Sequence, residues 1–359
     1  NSAARSYLGL SYEGLSQFDS ARAVYTDLLT SRIPGRLRRF VSGRLALLAR
    51  EELRFAALQA IARESSLVRT PPDPNTVAVM PFRYSGTDTT YRPLERGLAA
   101  IVVTDLGRVS RLRLVERARV QALLDELKLA ESGRVDPATG ARSGRLVGAG
   151  EVVEGQFTTG PDQVRIDATV VRAADAGVAA AGSNTDRLRA LFDVEKAVVF
   201  QLLDKLGITL TPAERVAISE RPTRDLEAFL LYSRGLEAED RGDFTTATED
   251  YQRAARIDPA FRAAAQQAVV SQGAASAQAA PPPDVASAAP EVPAATTSTL
   301  LTAINGAVPT GAVVLQSVTT AATIVLPASD PNRLCEGAAC DGPGRAALVG
   351  TVIIIIKRP

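Results

Sequence analysis

The sequence predicts an α/β protein: a mixed-sheet α/β sandwich flanked by α-helical hairpins, with a low-complexity tail. Three observations predict it. Residues 77–82 are a short apolar run stopped by Pro81, residues 94–106 repeat apolar side chains every three or four positions, and residues 112–115 form a second apolar run. Strand, helix and strand in that order make a βαβ unit. Helical periodicity brackets this unit on both sides, over 1–68 and 223–264. After 264 the composition falls to Ala, Pro, Ser, Gln and Thr without a period.

The chain divides accordingly. Residues 1–68 are a helical region, 69–75 a Pro-rich linker and 76–210 the α/β domain. Residues 223–264 are a second helical hairpin, 265–299 a disordered linker and 300–359 a β-prone tail. In the first region, Leu8, Gly9 and Tyr12, then Ala21, Tyr25 and Leu28, resemble a tetratricopeptide repeat. Gly9 and Ala21 are small enough to let two antiparallel helices approach, and Pro34-Gly35 ends the second. Leu37, Phe40, Val41, Leu45, Leu48, Leu53, Leu58 and Ile61 give the stripe of one or two further helices. The Arg36–Arg44 cluster reads as a solvated face. Thr70-Pro71-Pro72-Asp73-Pro74 is stiff and extended.

Inside the α/β domain, Val77–Phe82 is the first strand. Leu94, Leu98, Ile101, Val102 and Leu106 line one face of the helix that follows. Val120, Leu123, Leu124 and Leu127 mark a second helix. Asp136 caps a third that starts at Pro137 and ends at Leu146-Val147. Residues 152–158 and 164–171 alternate as strands around the turn Gly160-Pro161-Asp162. A turn and strand over 173–182 and a helix over 187–206 complete the order β-α-β-α-α-β-β-β-α. In 223–264, Gly235, Gly242, Phe244, Ala247, Tyr251, Ala254 and Pro259 resemble a second tetratricopeptide repeat. One such repeat cannot bury its own faces, so it must stack on another element. The segment 350–359 is a strong strand former that needs a sheet edge to pair with.

Composition removes several function classes. The 359 residues carry 41 Lys plus Arg against 40 Asp plus Glu, so no basic field for nucleic acid is expected. Histidine is absent, which removes Ser-His-Asp and Cys-His nucleophile pairs and His-ligated metals. No cofactor and no reaction is expected. The run Gly144–Gly150 lacks phosphate-loop spacing and precedes a strand instead of opening a helix. Asp105 and Glu116, near strand ends, read as solvated helix-face charges or as ion-pair partners of nearby arginines in preference to catalytic groups. Cys335 and Cys340 are not spaced as a C-x-x-C motif. They read either as a local disulfide in an oxidising compartment or as two free thiols, and both readings stand. The first residue is Asn, so the chain reads as truncated or processed at its start, and the lack of a signal peptide carries no information.

The α/β region resembles the CsgG family and its relatives, among them the N-terminal domain of TolB and the LpoB and FlgO lipoproteins. The matching residues are Val77–Phe82, Gly97-Leu98, Thr104-Asp105-Leu106 and Val115-Glu116-Arg117. They continue through Leu123–Leu127, Asp136-Pro137, Gly148-Ala149 and Val153-Glu154-Gly155, so that the resemblance spans about 75–210. It implies a non-enzymatic envelope protein acting in curli-type assembly, secretion or scaffolding through protein contacts. It also implies a periplasmic or outer-membrane-associated location and ring-like homo-oligomers. The anchoring cysteine of the lipoprotein relatives would fall before Asn1. The hairpin at 152–171 is short for a bilayer-spanning pair, which favours periplasmic binding over pore formation. The alternative is a sensory or scaffold region of a cytoplasmic regulator, which an upstream helix-turn-helix would indicate.

Partner binding is expected through the α/β domain and through the groove face of each first repeat helix. That face carries Phe229, Tyr232, Leu236 and Glu239 in the second repeat, and Ser6, Leu10 and Glu13 in the first. Phe229 and Leu236 are expected to pack on a neighbouring helix. Tyr232 and Glu239 are expected to contact the partner.

Overall fold

The computed structural model describes residues 2–67, 72–127, 137–279, 322–325 and 345–348. They fall into two units, residues 1–284 and 285–359. In the first unit, α1 (Ser2–Gly14), α2 (Phe18–Thr30), α3 (Gly35–Ala62) and α4 (Glu64–Leu67) precede the sheet. The α/β region follows in the order β1 (Thr76–Val79), β2 (Arg83–Tyr84), α5 (Leu94–Leu106), β3 (Arg113–Leu114), α6 (Arg117–Leu127) and α7 (Pro137–Val147). It continues with β4 (Glu151–Thr159), β5 (Gln163–Arg172), β6 (Val178–Arg187) and α8 (Leu191–Lys205). Four helices close the unit: α9 (Pro212–Ser219), α10 (Leu226–Asp240), α11 (Phe244–Ile257) and α12 (Arg262–Ala279).

The sheet is mixed, with strand order β3-β1-β4-β5-β6, and β2 pairs with the far end of β4. β1 lies in the interior, parallel to β3 on one side and to β4 on the other. β4, β5 and β6 form an antiparallel meander. Period two decides which way each side chain points. Val77 and Val79 enter the core shared with α5 and α8, while Ala78 faces Val120, Leu123 and Leu124 of α6. Pro81 ends β1 as its missing donor requires. The strand therefore ends at Val79, before the apolar run does, and β2 begins only after Phe82. Phe82 still packs in the core, and its N–H donates to the Glu95 carbonyl.

Both helical segments are built onto the helices that cover this sheet. α3 is one 28-residue helix. Its first half packs with Tyr25 and Leu28 of α2 through Leu37, Phe40, Val41 and Leu48. Its second half lays Ala57, Ala60 and Ile61 against α6. At the other end of the chain, α10 packs on α5, α11 on α10 and α12 on α11. α12 then packs along α3, so helices from opposite ends of the sequence form one layer. The α/β domain is inserted between them.

Two close approaches fix that arrangement. A Cβ on Gly97 of α5 would lie 2.0 Å from Ser233 Oγ of α10, and one on Gly43 of α3 would lie 2.1 Å from the Gly273 carbonyl oxygen of α12. Neither distance is sterically allowed; at Gly43 the obstacle is backbone, so only glycine lets α3 and α12 meet there, while at Gly97 it is the Ser233 side chain.

Three expectations change. Residues 262–279 are a helix, not the start of a disordered linker, because alanine is the strongest helix former and Ala264, Ala268, Ala274 and Ala277 are buried. β6 runs on to Arg187, so the following helix starts at Leu191 after one 3-10 turn. α9 occupies a stretch with no assigned element, and its capping box of Thr211 and Glu214 is complete. The Asp136 cap, Cys335, Cys340 and the segment 350–359 lie outside the described residues. In the second unit, β7 (Ala322–Val325) and β8 (Arg345–Leu348) pair antiparallel, with Ala322 opposite Leu348.

Candidate interaction surface

The predicted groove face of α10 is filled from within the chain. Phe229 is fully buried and meets Phe192 of α8 edge-on at 5.1 Å between ring centroids. Leu236 is buried in the same core. Tyr232, expected to contact a partner, lies 4.9 Å from the Phe261 ring at the start of α12 and 5.5 Å from Tyr251 of α11. Burial pushes its phenol up to about 12. Glu239, the other expected contact, accepts a hydrogen bond from the Tyr251 hydroxyl at 2.6 Å and one from Gln267 Nε2 of α12 at 3.3 Å. Burial raises its carboxyl above the ordinary carboxylate range. Spacing put these residues on one face. The helix that covers that face is α12, which the composition had hidden.

The C-terminal end of α10 carries a polar knot that sequence reasoning missed. Arg50 of α3 donates to the Glu239 and Asp240 carbonyls at 2.6 and 2.8 Å. Arg96 of α5 and Arg117 of α6 both reach the Asp240 carboxylate, at 2.9 and 2.8 Å. Cations at a helix C-terminus satisfy its free carbonyls and its dipole. Here they also tie α3, α5 and α6 to α10. Only tertiary packing brings these residues together, so no local signal announces them.

The first-repeat residues are occupied too. Ser6 is buried and donates to the Ala3 carbonyl at 2.7 Å. Leu10 packs at the margin of the Tyr25–Phe40 cluster. Glu13 pairs with Arg44, whose Nε lies 3.2 Å away. Arg44 is therefore an ion-pair partner, while Arg38 donates to the Leu29 and Ser31 carbonyls behind α2.

Asp105 is buried and pairs with Lys196 of α8, not with an arginine. Glu195 is fully buried beside them, its Oε2 3.3 Å from the Lys196 ammonium. Burial, reinforced by the Asp105 charge, raises the Glu195 carboxyl well above its ordinary value. Burial also raises Asp105, against the pull of Lys196. Glu195 and Lys196 interrupt the apolar stripe of α8 between Val194 and Val198, a signal the sequence does contain.

What stays open to solvent is the distal part of one face of β4, β5 and β6, beyond Val152, Glu154 and Val171, which are buried where α7 packs. The opposite face buries Val153, Phe157, Val164, Ile166, Ala168, Val170 and Ala180. The open face carries Gln156, Arg165, Asp167 and Ser183. Arg165 pairs with Asp167 at 2.6 Å, and Ser183 Oγ donates to the same carboxylate at 2.6 Å. This alternation suits a sheet with one wet face. The β4–β5 hairpin thus spends its apolar face on α8 and offers no apolar stripe to lipid. No helix among the described residues is long and apolar enough to cross a membrane. No group of three or more metal-ligating side chains occurs among them either.

Comparison with solved structures finds the LpoB C-terminal domain from Salmonella enterica at 10% identity and TM-score 0.27, covering 34% of this chain and 91% of that one. It also finds lipoprotein GNA1162 from Neisseria meningitidis at 14% identity and TM-score 0.25, covering 31% of this chain and 81% of that one. No curated protein matches the chain. Residues 58–167 match the family described as curli production assembly/transport component CsgG, a span that holds the end of α3, β1 to β4 and the first half of β5.

Proposed function

We propose that this chain is a non-catalytic component of the bacterial envelope that acts in assembly or secretion by binding other proteins. The observation that carries the reading is the CsgG family match over 58–167, which contains the interior strand β1 and the parallel core of the sheet. The geometry supports it. The buried charges Asp105, Lys196 and Asp240 are engaged in ties between helices. Phe229, Tyr232 and Leu236 of α10 are buried within the chain, which favours a contact surface on the α/β domain. A curli-type role, attachment to the outer membrane and a ring-like homo-oligomer are the finer parts of this proposal. Fractionation of the native host tests the location. The protein is expected in the envelope fractions, and recovery in the cytosol would overturn the reading.

A further inference from the structure

The β6 strand ends the sheet, and an exposed edge ordinarily invites another strand. In an antiparallel ladder alternate residues turn their N–H and C=O toward and away from the neighbour. On β6 the residues turned away from β5 are Ala181, Ser183, Thr185 and Arg187; both outward groups of Ser183 and one group of each of the others are engaged. Gln201 of α8 takes both groups of Ser183: its Oε1 accepts from the N–H at 3.1 Å and its Nε2 donates to the carbonyl at 3.2 Å. That side-chain amide stands where the peptide group of an added strand would stand. Lys205, one turn further along α8, donates to the Ala181 carbonyl. The Thr185 N–H is taken by Asn184 Oδ1 at 2.9 Å and the Arg187 N–H by Asp186 Oδ1 at 2.6 Å. The sheet repeats the device at β2, where Glu95 Oε1 accepts from the Tyr84 N–H at 2.9 Å.

We infer that β6 is held shut against strand addition by a second copy of this chain, with Gln201 as the principal guard. A second copy is the occupant to exclude because it presents the same extended strand. A two-fold axis through Thr185 would set Ser183 of each copy opposite Arg187 of the other, matching the outward groups of Ser183, Thr185 and Arg187. Contacts between copies must then use surfaces other than this edge.

The test places a photo-cross-linking amino acid at Thr185 and compares the full wild-type chain with Q201A/K205A. A second variant, N184V/D186V, opens the edge from the strand itself and leaves α8 untouched. Far-UV circular dichroism checks folding, and light scattering reads mass. The open-edge proteins are expected to cross-link through Thr185, with self-association strengthened by about tenfold or more. Wild type is expected to give no such adduct. A wild-type adduct as strong as the variants', or folded variants that stay uncross-linked, would overturn the inference. If Q201A/K205A fails to fold, the single substitution Q201A carries the test.

Discussion

Replacing Glu195 with Gln removes one titrating group from the core and keeps its shape. Glu195 is buried between Asp105 and Lys196, and its carboxyl is raised well above the ordinary 4.5. A group whose folded-state pKa exceeds its unfolded value takes up a proton on folding. Its contribution is complete below about pH 4.5 and is lost as pH rises toward the folded value. One such proton gives a slope of up to about 1.4 kcal/mol per pH unit. The wild-type chain should therefore lose stability from about pH 5 upward, and Glu195→Gln should lose less by up to that slope. Asp105 is raised mainly by burial and contributes with the same sign. Urea unfolding at several pH values between about 5 and 8, with equal m-values, reads the difference directly. Stability–pH curves that run parallel in the two proteins would refute the reasoning, because they would mean that Glu195 binds no extra proton in the folded chain.

The remaining predictions concern the joints between helices. Asp240→Asn leaves Arg96 and Arg117 facing a neutral partner in a site where the Asp240 side chain is 6% exposed. A loss of about 3–5 kcal/mol is expected in urea unfolding, as for a buried pair broken on one side. Gly43→Val puts a side chain into the Gly273 carbonyl, so the α3–α12 contact must open. A loss of at least about 1–3 kcal/mol is expected, with limited proteolysis newly cutting within 262–279.

Much of the α/β core was legible because its signals are local. The spacing of Leu94, Leu98, Ile101, Val102 and Leu106 gives α5, and the alternation in 152–171 gives the β4–β5 hairpin. Pro81 marks the end of β1. β2 was not legible, since two residues have no period and their strand identity comes from Gln156 and Phe157 opposite them. α12 was misread because Ala, Gln and Ser also compose unstructured linkers. Yet Ala264, Ala268, Ser271, Ala274 and Ala277 recur at helical spacing, and a search for small residues at that spacing would have found it. The error spread to the site. Without α12, Tyr232 and Glu239 stood on an open face; with it, they meet Phe261 and Gln267. The arginines around Asp240 come from α3, α5 and α6, and a linear reading has no means to bring them together.

The architecture rests on helices from both ends of the first unit closing over its α/β core. Hydrogen exchange read by mass spectrometry tests this most directly. Residues 262–279 should exchange as slowly as α5, because both are held in the same cooperative unit. Exchange of 262–279 within seconds, with α5 still protected, would contradict the account and return that segment to a linker.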